Sequence, residues 1–127
     1  MLNLALGNQP KSILLIGAHC DDIEIGCGGT ILHLVEKYPN THFEWVVFSS
    51  SAIRANEAAK SANQFLANAG SKNVRIQSFR NGYFPYIGSE IKDFFELIKL
   101  QVNPDLILTH HLDDRHQDHR TLAELTW

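Results

Sequence analysis

Residues 13–18, Ile-Leu-Leu-Ile-Gly-Ala, form an unbroken apolar run, the pattern of a strand covered on both faces. The run is too short for a membrane span, and it follows Lys11 and Ser12 without the layout of a signal peptide. It therefore reads as a buried strand of a cytoplasmic protein. A strand of this kind needs helices on both sides, so the rest of the chain should alternate between strand and helix.

It does so four times. Gly26, Gly28 and Gly29 precede a helical stripe of Ile31, Leu34, Val35 and Tyr38. Pro39 and Asn40 punctuate, residues 42–48 give a second strand, and the turn at 49–51 leads into a helix carrying Ala58, Ala62, Phe65, Leu66 and Ala69, with Gly70 as its stop. Val74 and Ile76, alternating with Arg75 and Gln77, suggest a strand nearer a sheet edge, followed by a loop over 81–88. Ile91, Phe94, Phe95 and Ile98 form the next stripe, Pro104 breaks it, and residues 106–108 are a short buried strand running into His110 and His111. Asp118 is placed to cap a last helix through Leu122 and Leu125.

Four strand–helix repeats predict an α/β fold, a Rossmann-like parallel sheet with flanking helices. At 127 residues and 44% apolar content the chain suits one domain over 1–127. A formal charge of -3, with Lys and Arg scattered singly, leaves no basic stripe for nucleic acid. Cys20 and Cys27, six residues intervening, fit neither a disulfide framework nor a zinc ribbon and read as free thiols. In such sheets ligands gather beyond the carboxyl ends of the strands, so segments 19–29, 49–54, 80–88 and 110–119 should share one rim.

Two of those segments concentrate the reactive side chains. Residues 18–24 end the first strand with His19 and the adjacent carboxylates Asp21 and Asp22, whose side chains diverge, so that one can bind a metal while the other faces its water. Residues 110–119 hold four of the chain's seven His, with Asp113, Asp114 and Asp118. Two His and one carboxylate can hold zinc with a position left for water, which becomes a nucleophile at neutral pH. Alone, each segment has an ordinary reading as solvated loop residues or helix caps. Together on one rim they point to a divalent-metal hydrolase.

These residues resemble a known family. AHCDDIEIGCGGT is similar to the AHPDD-x-E-x-G-x-GGT signature of the PIG-L/LmbE-like deacetylases, and HLDDRHQDH to their second motif, H-x-x-D-x-H-x-D-H. The resemblance implies metal-dependent removal of an N-acetyl group from an amino sugar of the N-acetylglucosamine type. It makes His19, Asp22 and His119 the metal ligands and Asp21 the general base. It gives His116, taken as cationic, the oxyanion, with Asp118 orienting it. Arg54, in Arg-Ala-Asn-Glu, matches an Arg-x-x-Glu element that approaches substrate or product. Zinc is expected, and the mixed N/O set also accepts iron or cobalt. Either protonated Asp21 or His116 can protonate the leaving amine.

Two departures stand out. Cys20 replaces the usual Pro and is expected to be a packed or loop thiol rather than a ligand. The family continues well past a point equivalent to Trp127, so the chain reads as the N-terminal part of the usual domain. Residues 106–108 should lie beside the first strand as a bare edge, to be covered by a further strand from the polypeptide or a partner subunit. Self-association through that edge and weak turnover in isolation are the corresponding expectations.

The other candidates have plainer readings. The glycine cluster suits close packing at a helix start better than a phosphate cradle, and His33 and His42 suit surface or structural roles. Phe84, Pro85 and Tyr86 either line a pocket or pin a loop. Two alternatives to the deacetylase remain at this stage: a metallo-phosphoesterase on the same ligands, and a non-catalytic metal- or nucleotide-binding module or inactive fragment. Few cations near the rim count against the first.

Overall fold

The computed structural model describes residues 6–127. Its elements run β1 (Ser12–Gly17), α1 (Asp22–Lys37), β2 (His42–Val47), α2 (Ala52–Phe65), β3 (Ser71–Ile76), a 3-10 turn (Phe84–Tyr86), α3 (Gly88–Gln101), β4 (Leu106–Leu108) and α4 (Gln117–Thr126). All pairings are parallel, in the order β3-β2-β1-β4. This is the α/β architecture that the alternating pattern predicts.

The unbroken apolar runs are explained by two cores, one on each face of the sheet. Ile13, Leu15, Phe43, Trp45 and Val47 pack against Ile23, Ile31, Leu34, Ala58 and Ala62 of α1 and α2. Leu14, Ile16, Val46 and Phe48 pack against Phe84, Ile91, Ile98 and Leu122 from the other side. β3 and β4 are the edges. On β3, Asn73 and Arg75 turn to Glu44, a carboxylate 2% exposed that also receives His42. His42 therefore has the structural role expected of it, and His33 is exposed. β4 lies beside β1 as the edge expected of it, and for that reason it is only partly buried rather than a buried strand.

Three local expectations are corrected. The first helix begins at Asp22, so the glycines lie inside it, and the helix kinks at Cys27 (φ -146°, ψ 16°). Of the three, Gly28 has the close-packing role: a Cβ there would lie 2.8 Å from Cε1 of Phe65 on α2. The second helix ends at Phe65, before Gly70, whose bareness instead admits the backbone of Pro39 and Asn40. The last helix is capped by His116, whose side chain accepts from the Asp118 N–H, and not by Asp118. The Asp118 carboxylate is drawn elsewhere, to the N–H groups of Gly82 and of Phe84 at the start of the 3-10 turn.

What positions the site is the order of the strands. Going from β1, the chain adds β2 and β3 on one side and then returns to place β4 on the other, making a switch point between β1 and β4. Pairing continues past the strand ends through Phe48 N–H to Gly17 O (3.0 Å), Ser49 N–H to Ala18 O (2.8 Å) and Phe79 N–H to Phe48 O (3.0 Å). The segment after β1 and the segment after β4 thus leave from adjacent, well-anchored points.

Candidate metal centre

Three ligand-type atoms from the two motifs meet at this switch point. His19 Nδ1 lies 3.2 Å from His119 Nε2 and 3.3 Å from Asp22 Oδ2, and His119 Nε2 lies 3.3 Å from the same carboxylate oxygen. His19 follows β1, Asp22 opens α1, and His119 sits in the first turn of α4. Tetrahedral coordination with bonds of roughly 2.0–2.2 Å separates neighbouring ligand atoms by about 3.3–3.6 Å. The triangle is therefore of the size that one small divalent cation spans.

The second nitrogen of each of these imidazoles faces a carboxylate. His19 Nε2 is 3.2 Å from Asp118 Oδ2, and His119 Nδ1 is 3.1 Å from Asp114 Oδ2, though off the line of a good hydrogen bond. A carboxylate behind a histidine fixes its ring and raises its basicity as a ligand. Asp118 is fully buried, and it also accepts from the N–H groups of Gly82 (2.6 Å) and Phe84 (3.1 Å). Gly82 holds φ +77°, a left-handed backbone that favours glycine, and this aims its N–H at Asp118.

Two further histidines stand close enough to serve as ligands, in the groups His19–His116–His119 and Asp22–His110–His119. Their lone pairs are already committed. His110 Nε2 accepts the Ala18 N–H at 2.9 Å, so its proton is on Nδ1, and the 3.4 Å approach of Nε2 to Asp22 is not a hydrogen bond. His116 Nδ1 accepts the Asp118 N–H at 3.1 Å, which leaves a neutral ring with its hydrogen on Nε2, a donor rather than a ligand. Both rings flank the triangle of His19, Asp22 and His119, whose ligand-type atoms lie 3.2–3.3 Å apart.

Electrostatics sharpen the distinction. Burial pushes the Asp22 carboxyl up, but hydrogen bonds from the His19 ring and the His19 N–H, with the nearby His119, outweigh it and hold the group well below the usual carboxylate range. Its hydrogen bond with Asp22 raises His19 against the opposing effect of burial, and Asp118 adds to the rise. His116 moves the other way, lowered by burial and then by the neighbouring His19 and His119. The resting His116 is thus neutral, where the sequence reading takes it as cationic.

The remaining expected residues are placed as follows. Asp21 is the N-cap position of α1 without capping it, and its half-exposed carboxylate lies 3.3 Å from Arg54 Nη2. Arg54 lines a hollow of about 350 Å³ together with His19, Cys20 and Arg80. Cys20 is buried, with Sγ 3.5 Å from Ser49 O, and burial raises its thiol, so it is the packed thiol expected. Asp118 contacts the His19 ring through its carboxylate, whereas its link to His116 runs through its backbone N–H, which differs from the orienting contact expected of it. His110, Asp114, Gly82 and Arg80 are the residues at the site that sequence reasoning does not assign. Asp114 is visible as the Asp of the second motif; that motif as read begins at His111, which is exposed, whereas the pairing of β4 with β1 brings His110 to the centre.

Comparison with known proteins gives the chain its family. Residues 14–127 match the family model PIG-L, GlcNAc-PI de-N-acetylase. The chain is 30% identical over 126 residues to an Escherichia coli K12 protein described as uncharacterized deacetylase YaiS, covering 91% of this chain and 66% of that protein. The structure of N,N'-diacetylchitobiose deacetylase from Pyrococcus horikoshii, complexed with its inhibitor MPG, is similar at a TM-score of 0.71 and 25% identity, over 92% of this chain and 48% of that one. The conserved protein TT1542 from Thermus thermophilus shares the fold at a TM-score of 0.71 and 19% identity, over 90% and 52% of the respective chains. The chain spans about half to two thirds of the length of these relatives.

Proposed function

The chain belongs to the PIG-L family, and from that premise we propose that it hydrolyses the N-acetyl amide of an amino sugar of the N-acetylglucosamine type, using a divalent metal. The observation that carries the proposal is the triangle of His19 Nδ1, Asp22 Oδ2 and His119 Nε2 at separations of 3.2, 3.3 and 3.3 Å. These three residues would hold the ion, zinc in preference to iron or cobalt for this mixed N/O set. Bound there, the ion would supply Lewis acidity and lower the pKa of water.

On this reading the other side chains take the following roles. Asp21, next to the ligands but not among them, acts as general base: it takes a proton from water as the water oxygen attacks the amide carbon. Neutral His116 presents Nε2–H to the oxygen that becomes negative, and so serves as an oxyanion donor without carrying charge. Collapse of the tetrahedral species breaks the C–N bond and requires a proton on nitrogen. Asp21 returns the one it took, so the products are acetate and the amine. Asp118 is a positioning residue for the His19 ring, and Arg54, beside Asp21, faces the sugar.

Cys20 and Cys27 are free thiols, in keeping with a reducing compartment such as the cytoplasm. Among the described residues no helix is long and apolar enough to cross a membrane. The test is acetate release from N-acetylglucosamine and its glycosides, with added zinc and with chelator. Release that requires metal supports the proposal; a chain that binds zinc and releases no acetate from any of these sugars removes it.

A further inference from the structure

The hollow beside His19 is lined by Arg54, Arg80, Ser50, Ser78 and Asn81 among others, and none of its lining residues is Asp or Glu. This is notable in a chain with 14 acidic and 11 basic residues. We propose that Arg80, acting with Arg54, makes the hollow a site for a phosphate or carboxylate group, so that the substrate is an N-acylated sugar bearing an anionic substituent. The inference rests on the deacetylase reading for its substrate, though not for the anion site itself.

Arg80 carries the argument. Its guanidinium carbon lies 3.5 Å from the centre of the Tyr83 ring, a cation–π contact through the face of the group that leaves its N–H edges available. Among the described residues Arg80 forms no ion pair, whereas Arg54 is matched to Asp21. A planar guanidinium fork stacked in this way suits two oxygens of a phosphate or carboxylate, and does little for a neutral hydroxyl.

Two of the neighbouring hydroxyls are already engaged within the protein. The Ser50 hydroxyl donates to Gln77 O at 2.9 Å, and Ser51 Oγ accepts from the Arg54 N–H. The loop that carries Arg80 is itself pinned to the metal centre. Asp118 accepts from Gly82 and Phe84, and Gln117 Nε2 donates to Gly82 O at 2.5 Å. The distance between anion and scissile amide is thereby set by the same buried carboxylate that positions His19.

The experiment is calorimetric titration of the zinc-loaded chain with N-acetylglucosamine, N-acetylglucosamine 6-phosphate, N-acetylmuramic acid and inorganic phosphate, with acetate release measured in parallel from the N-acetylated sugars. The phosphorylated or carboxylated sugar should bind about ten-fold or more tighter than the neutral one, and the gap should narrow as salt rises. In Arg80→Ala the ratio should fall to near one, and in Arg80→Lys, which keeps the charge and loses the fork, it should be intermediate. Lys60→Ala, outside the hollow, should keep the wild-type ratio. Equal binding of charged and neutral sugars, no binding of any charged sugar, or a preference that survives Arg80→Ala in a variant with wild-type melting behaviour would overturn the proposal. The last result would place the anion on the metal. Tight, Arg80-dependent binding without acetate release would leave the anion site standing and remove the deacetylase reading.

Discussion

His19 and Asp118 stand 99 residues apart in sequence and 3.2 Å apart in space, Nε2 to Oδ2, in a contact that closes the first motif onto the second. The carboxylate is fully buried and serves two backbone N–H groups as well. Removing it strands the buried Phe84 N–H, at a cost of about 1–3 kcal/mol, and leaves the half-buried Gly82 N–H and the His19 ring without their partner. Asp118→Ala should therefore lose on the order of 2–5 kcal/mol of stability in urea unfolding, together with metal affinity. A loss under about 0.5 kcal/mol would show that these donors find other partners.

The adjacent carboxylates should separate cleanly on substitution. Asp22→Asn removes a vertex of the triangle and should release the metal, as should His119→Ala. Asp21→Asn should keep the metal and slow acetate release by roughly two to four orders of magnitude. Metal content by elemental analysis, read beside activity, distinguishes them; loss of metal from Asp21→Asn with retention in Asp22→Asn would reverse the two assignments.

His110 should behave as a positioning residue and not as a ligand. Its ring stacks on His119 with centroids 3.9 Å apart at 14°, and its Nε2 ties down the Ala18 N–H. His110→Phe keeps the stack and loses the acceptor; His110→Ala loses both. Zinc stoichiometry should stay at one per chain in each, with affinity falling by about ten-fold or more in the alanine variant and less in the phenylalanine. The absorption bands of the cobalt-loaded chain should shift without changing coordination number. Loss of stoichiometric zinc in His110→Phe would make His110 a ligand after all.

The metal-free chain should show a defined stability window. His19 is raised from 6.5, so its contribution is full below that value and is lost as pH climbs through the folded one. Asp22 is lowered from 3.8, so its contribution is present above that value and is lost as pH falls further. In chelator, then, stability from this pair is greatest between 3.8 and 6.5 and declines into the alkaline range. Zinc affinity should rise over that same range, since the ligand set needs neutral His19. Urea unfolding in chelator at a series of pH values is the check, and a steady gain in stability from about pH 6 to 8 would contradict the direction given for His19.

How much of this is legible in the sequence divides along local and non-local lines. The run at 13–18 and the four repeats carry their own evidence, because burial on both faces leaves an unbroken apolar signature. The two motifs likewise name His19, Asp22 and His119 within short windows. The helix start at Asp22 is hidden by glycines that sit inside α1, where Gly28 makes room for Phe65 on another helix. The partner of the Asp118 carboxylate depends on a contact across the switch point, which no window of sequence contains. The tautomer of His116 and the stacking of Arg80 on Tyr83 are local contacts, set by turn geometry that the order of residue types does not specify.

The most direct test of metal-dependent deacetylation at His19, Asp22 and His119 is acetate release by the chelator-stripped chain as zinc is titrated back, against a panel of neutral and anionic N-acetylglucosamine derivatives. Release should be absent without metal, rise in proportion to added zinc and reach its plateau at about one equivalent per chain. Release that is indifferent to chelator, or that plateaus only after a second equivalent, would contradict a single catalytic ion held by this triangle.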